Sequence, residues 1–302
     1  MINIPGFNRF ILCVCFSITF NAAFADAPFL RDTVRVSNSV QALRYLNGIK
    51  KLEKSKFWPN VDPGQFLRNL KTFAVEPLAF YEGKATNFCA YSALTYIPLE
   101  HDPLGFSKFM VDLYRYGQAK MGNAVLSPGK AVREEAGLIK YKGPLDISPA
   151  GQMWFLSLAD EFKGYLNWFN RNFQKGDENT FWASTNYAKF NRMLRKLFPV
   201  KINSKGSDLI KPSIKDLGQY MSDELKNGIV FVYLNNKKLY KKSHNRSLIS
   251  TPTHYVMLVE TRILADGNVE FVYWDYGRKT LQQLSPSFLK NIVYGVTTTT
   301  FN

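Results

Sequence analysis

Apolar residues recur at helical spacing through most of the first 198 residues of the chain. This period, with apolar side chains three and four positions apart on one face, is typical of amphipathic helices. Ser37 and Ser213 are placed as N-terminal caps, and Gly228 as a stop signal. The pattern predicts helices over 37–49, 63–73, 106–121, 148–169, 181–198 and 213–227.

The pattern changes after residue 228. Four short segments rich in β-branched and aromatic residues predict strands: 229–234 (IVFVYL), 254–261, 269–274 and 296–301. Asp266-Gly267 is a hairpin turn signal between the second and the third of them. Residues 199–212 are polar and predict a loop. Helices followed by mostly antiparallel strands indicate an α+β chain, with a helical N-terminal part packed on an antiparallel sheet.

The first 25 residues are expected to lie outside this fold. Met1 to Arg9 carries one positive charge, and 10–20 is an uncharged apolar run too short to span a bilayer. Ala23-Phe24-Ala25 then offers small residues at the positions that signal peptidase reads. This arrangement indicates a cleaved secretory signal and a secreted or periplasmic protein, the alternative being a buried N-terminal helix. No other apolar run approaches membrane length.

Composition and cysteine content narrow the class of protein. Hydrophobic residues make up 46% of the 302 residues and charged residues 21%, enough to form a core and too apolar for wholesale disorder. The net charge is +15, and loss of 1–25 would remove only Arg9 and leave +14. The same cleavage would remove Cys13 and Cys15, so that Cys89 would be the one remaining thiol. A disulfide-stapled scaffold is excluded.

Cys89 is the candidate nucleophile. A loop precedes it, and Ala90, Ala93, Leu94 and Ile97 follow at helical spacing, which places the thiol at or near a helix N-terminus with Thr86 or Asn87 as the expected cap. Unpaired N–H groups at such a position favour a negatively charged sulfur, and the thiolate is the nucleophilic form of cysteine. The same groups can bind an oxyanion.

The candidate base and its orienting acid lie on one hairpin. His254 opens a strand, and Asp275 closes the next strand after the Asp266-Gly267 turn. Because the two strands are antiparallel neighbours, Asp275 returns to the end of the sheet where His254 begins. An acid there can orient the imidazole and stabilise its protonated form. Trp274 and Tyr276, which flank the acid, are the candidate substrate-binding residues.

The ordered combination resembles the papain-like cysteine peptidase superfamily, in particular bacterial members that process leader peptides or cut cell-wall peptides. The resemblance covers 84–97 and 221–277 and implies Cys89 as nucleophile, His254 as general base and Asp275 as orienter. Members often carry a glutamine several residues before the cysteine to complete the oxyanion hole. Here Gly83 stands six residues upstream, so Asn87, or Gln65 from farther away, takes that role in this interpretation.

The resemblance implies a domain plan. Residues 1–25 are the signal, 26–80 a helical N-terminal extension, and 81–302 a papain-like catalytic domain with a helical insertion at about 98–212. The implied function is cleavage of an amide bond in a protein or a peptidoglycan peptide, with no cofactor and no metal. An acyltransferase would use the same residues, since only the acceptor differs.

Two other functions remain open. One is a non-catalytic basic binding protein on the same scaffold, motivated by the missing glutamine; the other is a basic toxin or adhesin whose cysteine is incidental. The charge favours anionic surfaces as partners, and no nucleic-acid module is recognisable. A basic stretch at 237–246 contains Lys237, Lys238, Lys241, Lys242 and Arg246 and is either a solvated loop or a rim of the cleft.

Each candidate residue also has a plainer interpretation. Cys89 would be a packed core cysteine, His254 a rim histidine bonded to backbone, and Asp275 the start of a turn. His101 is expected to be solvated in a loop. A zinc site is weakly supported, because no close ligand pair such as CxxC occurs. The aromatic residues of 154–173 are expected to pack in the core, a sugar-stacking or docking face being the minor alternative.

Overall fold

The computed structural model of the protein describes residues 35–240 and 252–301. The expected signal peptide, 1–25, lies outside the described residues, as do Lys241, Lys242 and Arg246 of the basic stretch. The α+β class predicted from the sequence is confirmed: helices dominate up to residue 225, and strands dominate from residue 229 onward. No helix in the described part of the chain is both long and apolar enough to cross a bilayer.

Ten α-helices are present in the described residues. Among the first four, α3 is almost wholly buried, and α4 ends at Gly117 in the left-handed conformation. Short 3₁₀ turns follow α6 at Tyr165–Asn167 and Asp177–Asn179. The helices are α1 (Ser39–Gly48), α2 (Pro63–Val75), α3 (Cys89–His101), α4 (Pro103–Tyr116), α5 (Lys130–Glu135), α6 (Pro149–Glu161), α7 (Tyr187–Leu197), α8 (Leu217–Leu225), α9 (Asn236–Leu239) and α10 (Pro286–Ile292).

Six strands form one antiparallel sheet in the order β3-β8-β4-β5-β6-β7, and two more form a small hairpin, β1-β2. The C-terminal strand β8 lies between β3 and β4, so β3 is the edge strand on the side away from the β5-β6-β7 meander. The strands are β1 (Ala119–Met121), β2 (Ala124–Leu126), β3 (Val200–Gly206), β4 (Ile229–Leu234), β5 (His254–Ile263), β6 (Val269–Asp275), β7 (Arg278–Leu284) and β8 (Val293–Phe301).

The sheet separates two hydrophobic cores. Alternate residues of β4 and β5, such as Tyr233 and Tyr255, face the helical core that contains α3, α4 and α6. Their neighbours, such as Val232 and Val256, face a smaller core closed by α8 and α10. This alternation follows from the two-residue period of a strand, and it explains why IVFVYL is apolar at every position: both faces of β4 are covered.

Several sequence predictions need correction. Residues 200–206, predicted as loop, form the edge strand β3. Their side chains are mostly exposed and polar, and the strand is held by its backbone pairing with the threonine-rich β8. The helix predicted over 106–121 begins at Pro103 and ends at Tyr116. The helix predicted over 148–169 stops at Glu161, so Trp168 and Phe169 are exposed, not packed in the core. Both β7 and α10 were missed.

Two hairpin turns bound β6, one at each end, and together they set the position of Asp275. The predicted turn at Asp266-Gly267 is present, with Gly267 at φ +80°. The turn between β6 and β7 consists of Tyr276 and Gly277, both with positive φ (+49° and +76°), and Asp275 pairs with Arg278 across it. Two consecutive positive φ values define a type I′ turn, which matches the strand twist. Asp275 is thus held at the last position of β6.

Candidate active site

Cys89 is the first residue of α3, as the sequence predicts. The N-cap is Phe88, and its side chain makes no capping bond, so the prediction of Thr86 or Asn87 as the cap was wrong. Thr86 stabilises the preceding loop instead: its hydroxyl donates to the Glu82 carbonyl at 2.7 Å and accepts from the Phe88 N–H at 3.3 Å. The thiol is free and half-buried. It therefore lies at the positive end of a helix in a position that a small molecule can reach.

His254 and Cys89 lie side by side. His254 opens β5, and its ring is buried and within hydrogen-bonding reach of the Cys89 thiol. Helix α3 packs directly on β5, and the small side chains of Ala90 and Ala93 are fully buried in that region. Close packing of the helix on the sheet thus brings the sulfur to the imidazole, although 165 positions separate them in the chain.

Asp275 completes a chain of three polar groups. Its Oδ1 lies 2.7 Å from His254 Nε2, with both side chains almost fully buried. Since Nε2 is engaged by the acid, Nδ1 is the ring nitrogen left to face the thiol. The second carboxylate oxygen, Oδ2, accepts a 2.5 Å hydrogen bond from the Tyr240 hydroxyl. Tyr240 in turn accepts from the Tyr273 hydroxyl at 2.9 Å. Asp275 is therefore fixed on both oxygens.

The charges of Cys89 and Asp275 around the His254 ring favour a protonated imidazole. Burial of the His254 ring disfavours its charged form, but the negative charges of Asp275 and of the Cys89 sulfur outweigh burial and hold the pKa of His254 well above its usual range. A positive imidazolium beside the sulfur stabilises the thiolate. The arrangement can thus hold a thiolate–imidazolium pair with a carboxylate behind it.

Glu82 is a second buried acid beside Asp275, and no pattern in the sequence marks it. Burial, followed by repulsion from Asp275, raises the pKa of Glu82 to about 8, in spite of the opposing positive charge of His254. Its carboxyl accepts from the backbone N–H of Tyr276 and from Ser92 Oγ at 3.3 Å. Glu82 therefore links the loop before Cys89 to the turn that carries Asp275, and it is neutral at pH 7.

The two predicted substrate-binding residues lie in different environments. Tyr276 is half-buried, and its ring stacks on the His254 ring with centroids 5.2 Å apart. Its hydroxyl accepts a hydrogen bond from Asn236 Nδ2 at 3.4 Å. Trp274 is in the helical core, and its indole N–H donates to the Leu78 carbonyl at 2.8 Å. Because Trp274 is 97% buried, the structure gives its predicted contact with substrate no support.

Asn87 lines the cleft, but its side chain is already engaged. The amide Nδ2 donates to the Thr180 carbonyl at 2.7 Å and contacts Ser184 Oγ at 3.2 Å. Both N–H bonds of the amide therefore have protein acceptors, which leaves none for an oxyanion. The backbone N–H of Cys89 has no acceptor among the described residues, as expected for the first position of a helix. It is the donor best placed for a negatively charged oxygen near the sulfur.

The thiol opens onto a cleft of about 750 Å³. One wall is the segment of 3₁₀ turns between α6 and α7, and the other carries the loop after β3 and the start of β5. Tyr165, Phe181 and Leu209 form an exposed apolar rim. The cleft is lined by Asn87, Cys89, Tyr165, Leu166, Asn179, Thr180, Phe181, Ser184, Thr185, Asp208, Leu209, Tyr233, Pro252, Thr253 and Tyr255.

A buried lysine supports the wall of this cleft. Lys189 is almost fully buried, and its ammonium donates to the Tyr91 hydroxyl at 2.7 Å and to the Ser184 carbonyl at 2.9 Å. Burial, with the nearby Lys163 and Arg192 charges, holds the pKa of Lys189 well below its usual range. The burial of Lys189 could have been predicted from the sequence, because this lysine lies on the apolar face of α7. Asp208 and Tyr240 lie in segments without regular periodicity, and no pattern marks them.

The remaining candidates lie away from the cleft. His101, expected to be solvated, is the last residue of α3, where it is buried and stacks on Phe301 at 3.8 Å. That prediction was wrong because the C-terminal strand covers the end of the helix. Gln65 belongs to α2 and does not line the cleft. Within residues 35–240 and 252–301, no three histidine, cysteine or acidic side chains are grouped as metal ligands.

Comparison with known proteins gives no match: no family model, no curated protein and no solved structure is similar to this chain. What the site can do is therefore inferred from its own geometry.

Proposed function

We propose that the protein is an exported cysteine hydrolase that cleaves an amide bond, with Cys89 as nucleophile, His254 as acid and base, and Asp275 as the group that orients His254. The observation that carries the proposal is the series of thiol, imidazole and carboxylate: His254 is hydrogen-bonded to Asp275 and interacts with Cys89, which begins a helix and opens onto a cleft. A packed core cysteine needs neither the imidazole nor the cleft.

The chemistry proceeds in two halves. In the first, the Cys89 thiolate attacks the amide carbonyl, and the negative oxygen that forms is bound by the backbone N–H of Cys89. His254 donates its Nδ1 proton to the departing amine, the C–N bond breaks, and an acyl thioester remains on Cys89. In the second half, neutral His254 takes a proton from water, the hydroxide attacks the thioester, and the acid leaves as the thiolate and imidazolium return.

Asp275 has a positioning role in this scheme. Its Oδ1 fixes the ring so that Nδ1 meets the sulfur, and its charge stabilises the imidazolium. The hydroxyl of Tyr240 prevents the carboxylate from rotating away. We also propose that the fold is papain-like. The support is the arrangement that the sequence predicted: a buried helix that begins with cysteine packs on an antiparallel sheet, and the β5–β6 hairpin of that sheet carries the histidine and the acid. The proposed substrate is a protein or a peptidoglycan peptide outside the cytoplasm.

The test is the rate at which iodoacetamide alkylates Cys89 between pH 5 and 9. The full chain is used, and mass spectrometry of the digest assigns the label, so that reaction at Cys13 or Cys15 is not counted. An imidazolium-stabilised thiolate should persist below pH 7. We expect His254→Ala to slow labelling at pH 6 by about tenfold or more, because the thiolate loses its counter-charge.

A matched control is His101→Ala, which removes a buried histidine at the far end of α3 and should leave the labelling rate unchanged. Labelling that is slow at every pH, needs denaturant and ignores His254 would refute the hydrolase. That result would favour the basic binding protein, which the engaged amide of Asn87 also favours because it leaves the oxyanion with one backbone donor. Hydrolysis of a peptide library, lost in Cys89→Ala, separates a hydrolase from a thiol that is reactive without turnover.

A further inference from the structure

The cleft has the opposite charge to the protein. The chain carries a net charge of +15, yet no lysine, arginine or histidine lines the cleft in the described part of the chain. Apart from the thiol of Cys89 and the tyrosine hydroxyls, the one ionisable side chain in its lining is Asp208. A composition this basic would place a cation there by chance more readily than an acid, so the acid calls for an explanation.

Asp208 is held in place by the protein but has no cationic partner among the described residues. Its Oδ1 accepts from the Tyr187 backbone N–H at 2.9 Å, and the hydroxyls of Tyr165 and Tyr233 are within hydrogen-bonding reach of the carboxylate. The Tyr233 hydroxyl also lies 3.5 Å from the Pro252 carbonyl. No ion pair joins Asp208 to a lysine or arginine of the described residues. A carboxylate has about four acceptor positions, so at least one remains for a ligand.

A second, independent feature lies next to the acid. Tyr255 lines the same cleft and is 97% buried, and its hydroxyl has no hydrogen-bond partner in the described structure. Its ring stacks on that of Tyr233, with centroids 4.2 Å apart. Buried hydroxyls without a partner are uncommon in folded proteins, and one on a residue that lines a cleft is a candidate for contact with a ligand.

The geometry points to a pocket for a cationic side chain: we infer that Asp208, Tyr165, Tyr233 and Tyr255 bind an ammonium or guanidinium group of the substrate while Cys89 attacks a nearby amide. This inference rests on the proposed function and specifies its substrate as a peptide with a basic residue close to the scissile bond. The carboxylate and the free hydroxyl accept hydrogen bonds from the cation, and the tyrosine rings provide π-faces.

The pocket lies within reach of the nucleophile. Cys89, Asp208, Tyr233 and Tyr255 all line the one cleft. A lysine side chain suits such a cleft, since its four methylene groups would lie along the apolar surface of the tyrosine rings. An acidic side chain in the same place would meet Asp208 without a counter-charge.

Peptidyl chloromethyl ketones test the pocket directly. The Cys89 thiolate displaces chloride from the reagent and forms a thioether, so no turnover is needed. The series carries lysine, arginine, norleucine or glutamate as the first or second residue from the reactive carbon. In the full-length protein we expect the lysine reagent to label Cys89 at least about tenfold faster than the norleucine reagent, the effect typical of a charge-assisted hydrogen bond. Arginine against lysine distinguishes guanidinium from ammonium.

Two variants of equal charge separate the pocket from the overall field. In Asp208→Asn the lysine-to-norleucine ratio should fall to within about twofold of one, because the amide oxygen still accepts from the Tyr187 N–H but carries no charge. Asp266→Asn changes an exposed acid in the hairpin turn at the opposite end of β5 and should keep the full ratio. A ratio near one in the unmodified protein, or a ratio that survives in Asp208→Asn, would overturn the pocket.

Failure of the pocket and failure of the proposed function give different results. Iodoacetamide has no side chain and reports the Cys89–His254 pair alone. Fast, His254-dependent labelling by iodoacetamide without a lysine preference would overturn the pocket and leave the hydrolase standing. Slow labelling by iodoacetamide would overturn the hydrolase, whereas the lysine-to-norleucine ratio would still measure Asp208, because a ratio cancels the intrinsic reactivity of the thiol.

Discussion

Replacement of Glu82 by glutamine should change how the stability of the protein depends on pH. Glu82 is fully buried, and burial followed by repulsion from Asp275 raises its pKa from 4.5 to about 8. Between these two values the folded chain retains a proton that the unfolded chain has lost. The stabilisation from that proton is complete below pH 4.5 and is lost as the pH rises through 8. Unmodified protein should therefore lose stability across this interval relative to Glu82→Gln, which mimics the neutral acid.

The size of the effect follows from the shift. A difference of one pKa unit corresponds to about 1.4 kcal/mol, so the interval from 4.5 to about 8 corresponds to a loss of at most about 5 kcal/mol of unfolding free energy. His254 and the other groups titrate in both proteins, so the effect of Glu82 is measured as the difference between the variant and the unmodified chain, and this difference includes the interaction of Glu82 with Asp275 and His254. The glutamine variant should be the more stable of the two at pH 8, by several kcal/mol, and the two should converge toward pH 5.

Urea unfolding followed by tryptophan fluorescence at pH 5, 6, 7 and 8 measures this difference. Glu76→Gln is the matched control: it removes an exposed carboxylate just after α2, and its difference from the unmodified protein should stay constant with pH. If the difference between Glu82→Gln and the unmodified protein varies by less than about 0.5 kcal/mol over this range, Glu82 is not held neutral by burial, and the description of this part of the site is incorrect.

Two further variants test how the acid of the site is held. Tyr240→Phe removes the hydroxyl that donates to Asp275 and leaves the Tyr273 hydroxyl without its acceptor, so we expect urea unfolding to show a loss of about 1–3 kcal/mol in stability. Tyr116→Phe is the control at an exposed position and should change stability by less than about 0.5 kcal/mol. Equal effects of the two substitutions would contradict a role for Tyr240 in holding Asp275. Gly277→Ala places a Cβ at the second left-handed position of the type I′ turn and should cost about 1–2 kcal/mol, whereas Gly48→Ala, where nothing lies within 4 Å, should be near neutral; an unaffected Gly277 variant would mean that the turn relaxes freely.

The hairpin of β5 and β6 was predictable because its signals are local. The apolar strands and the Asp266-Gly267 turn are adjacent in the sequence, and an antiparallel pair joined by a short turn has one geometry, so the relation of His254 to Asp275 could be worked out without coordinates. The start of α3 at Cys89 was equally local. The edge strand β3 was not, since its polar residues 200–206 become a strand only by pairing with β8, nearly a hundred residues later.

Local patterns along the chain are enough to predict the α+β class, the order of cysteine, histidine and acid, and the end of the sheet at which the last two meet, because periodicity, turn chemistry and helix-start position act over a few neighbouring residues. Packing between distant segments places α3 on β5 and sulfur beside imidazole, buries Trp274 while Tyr276 stacks on His254, and sets Glu82, Tyr240 and Asp208 around the site. These three residues carry no local signal, since the burial and the charged neighbours that give them their properties come from segments distant in the chain.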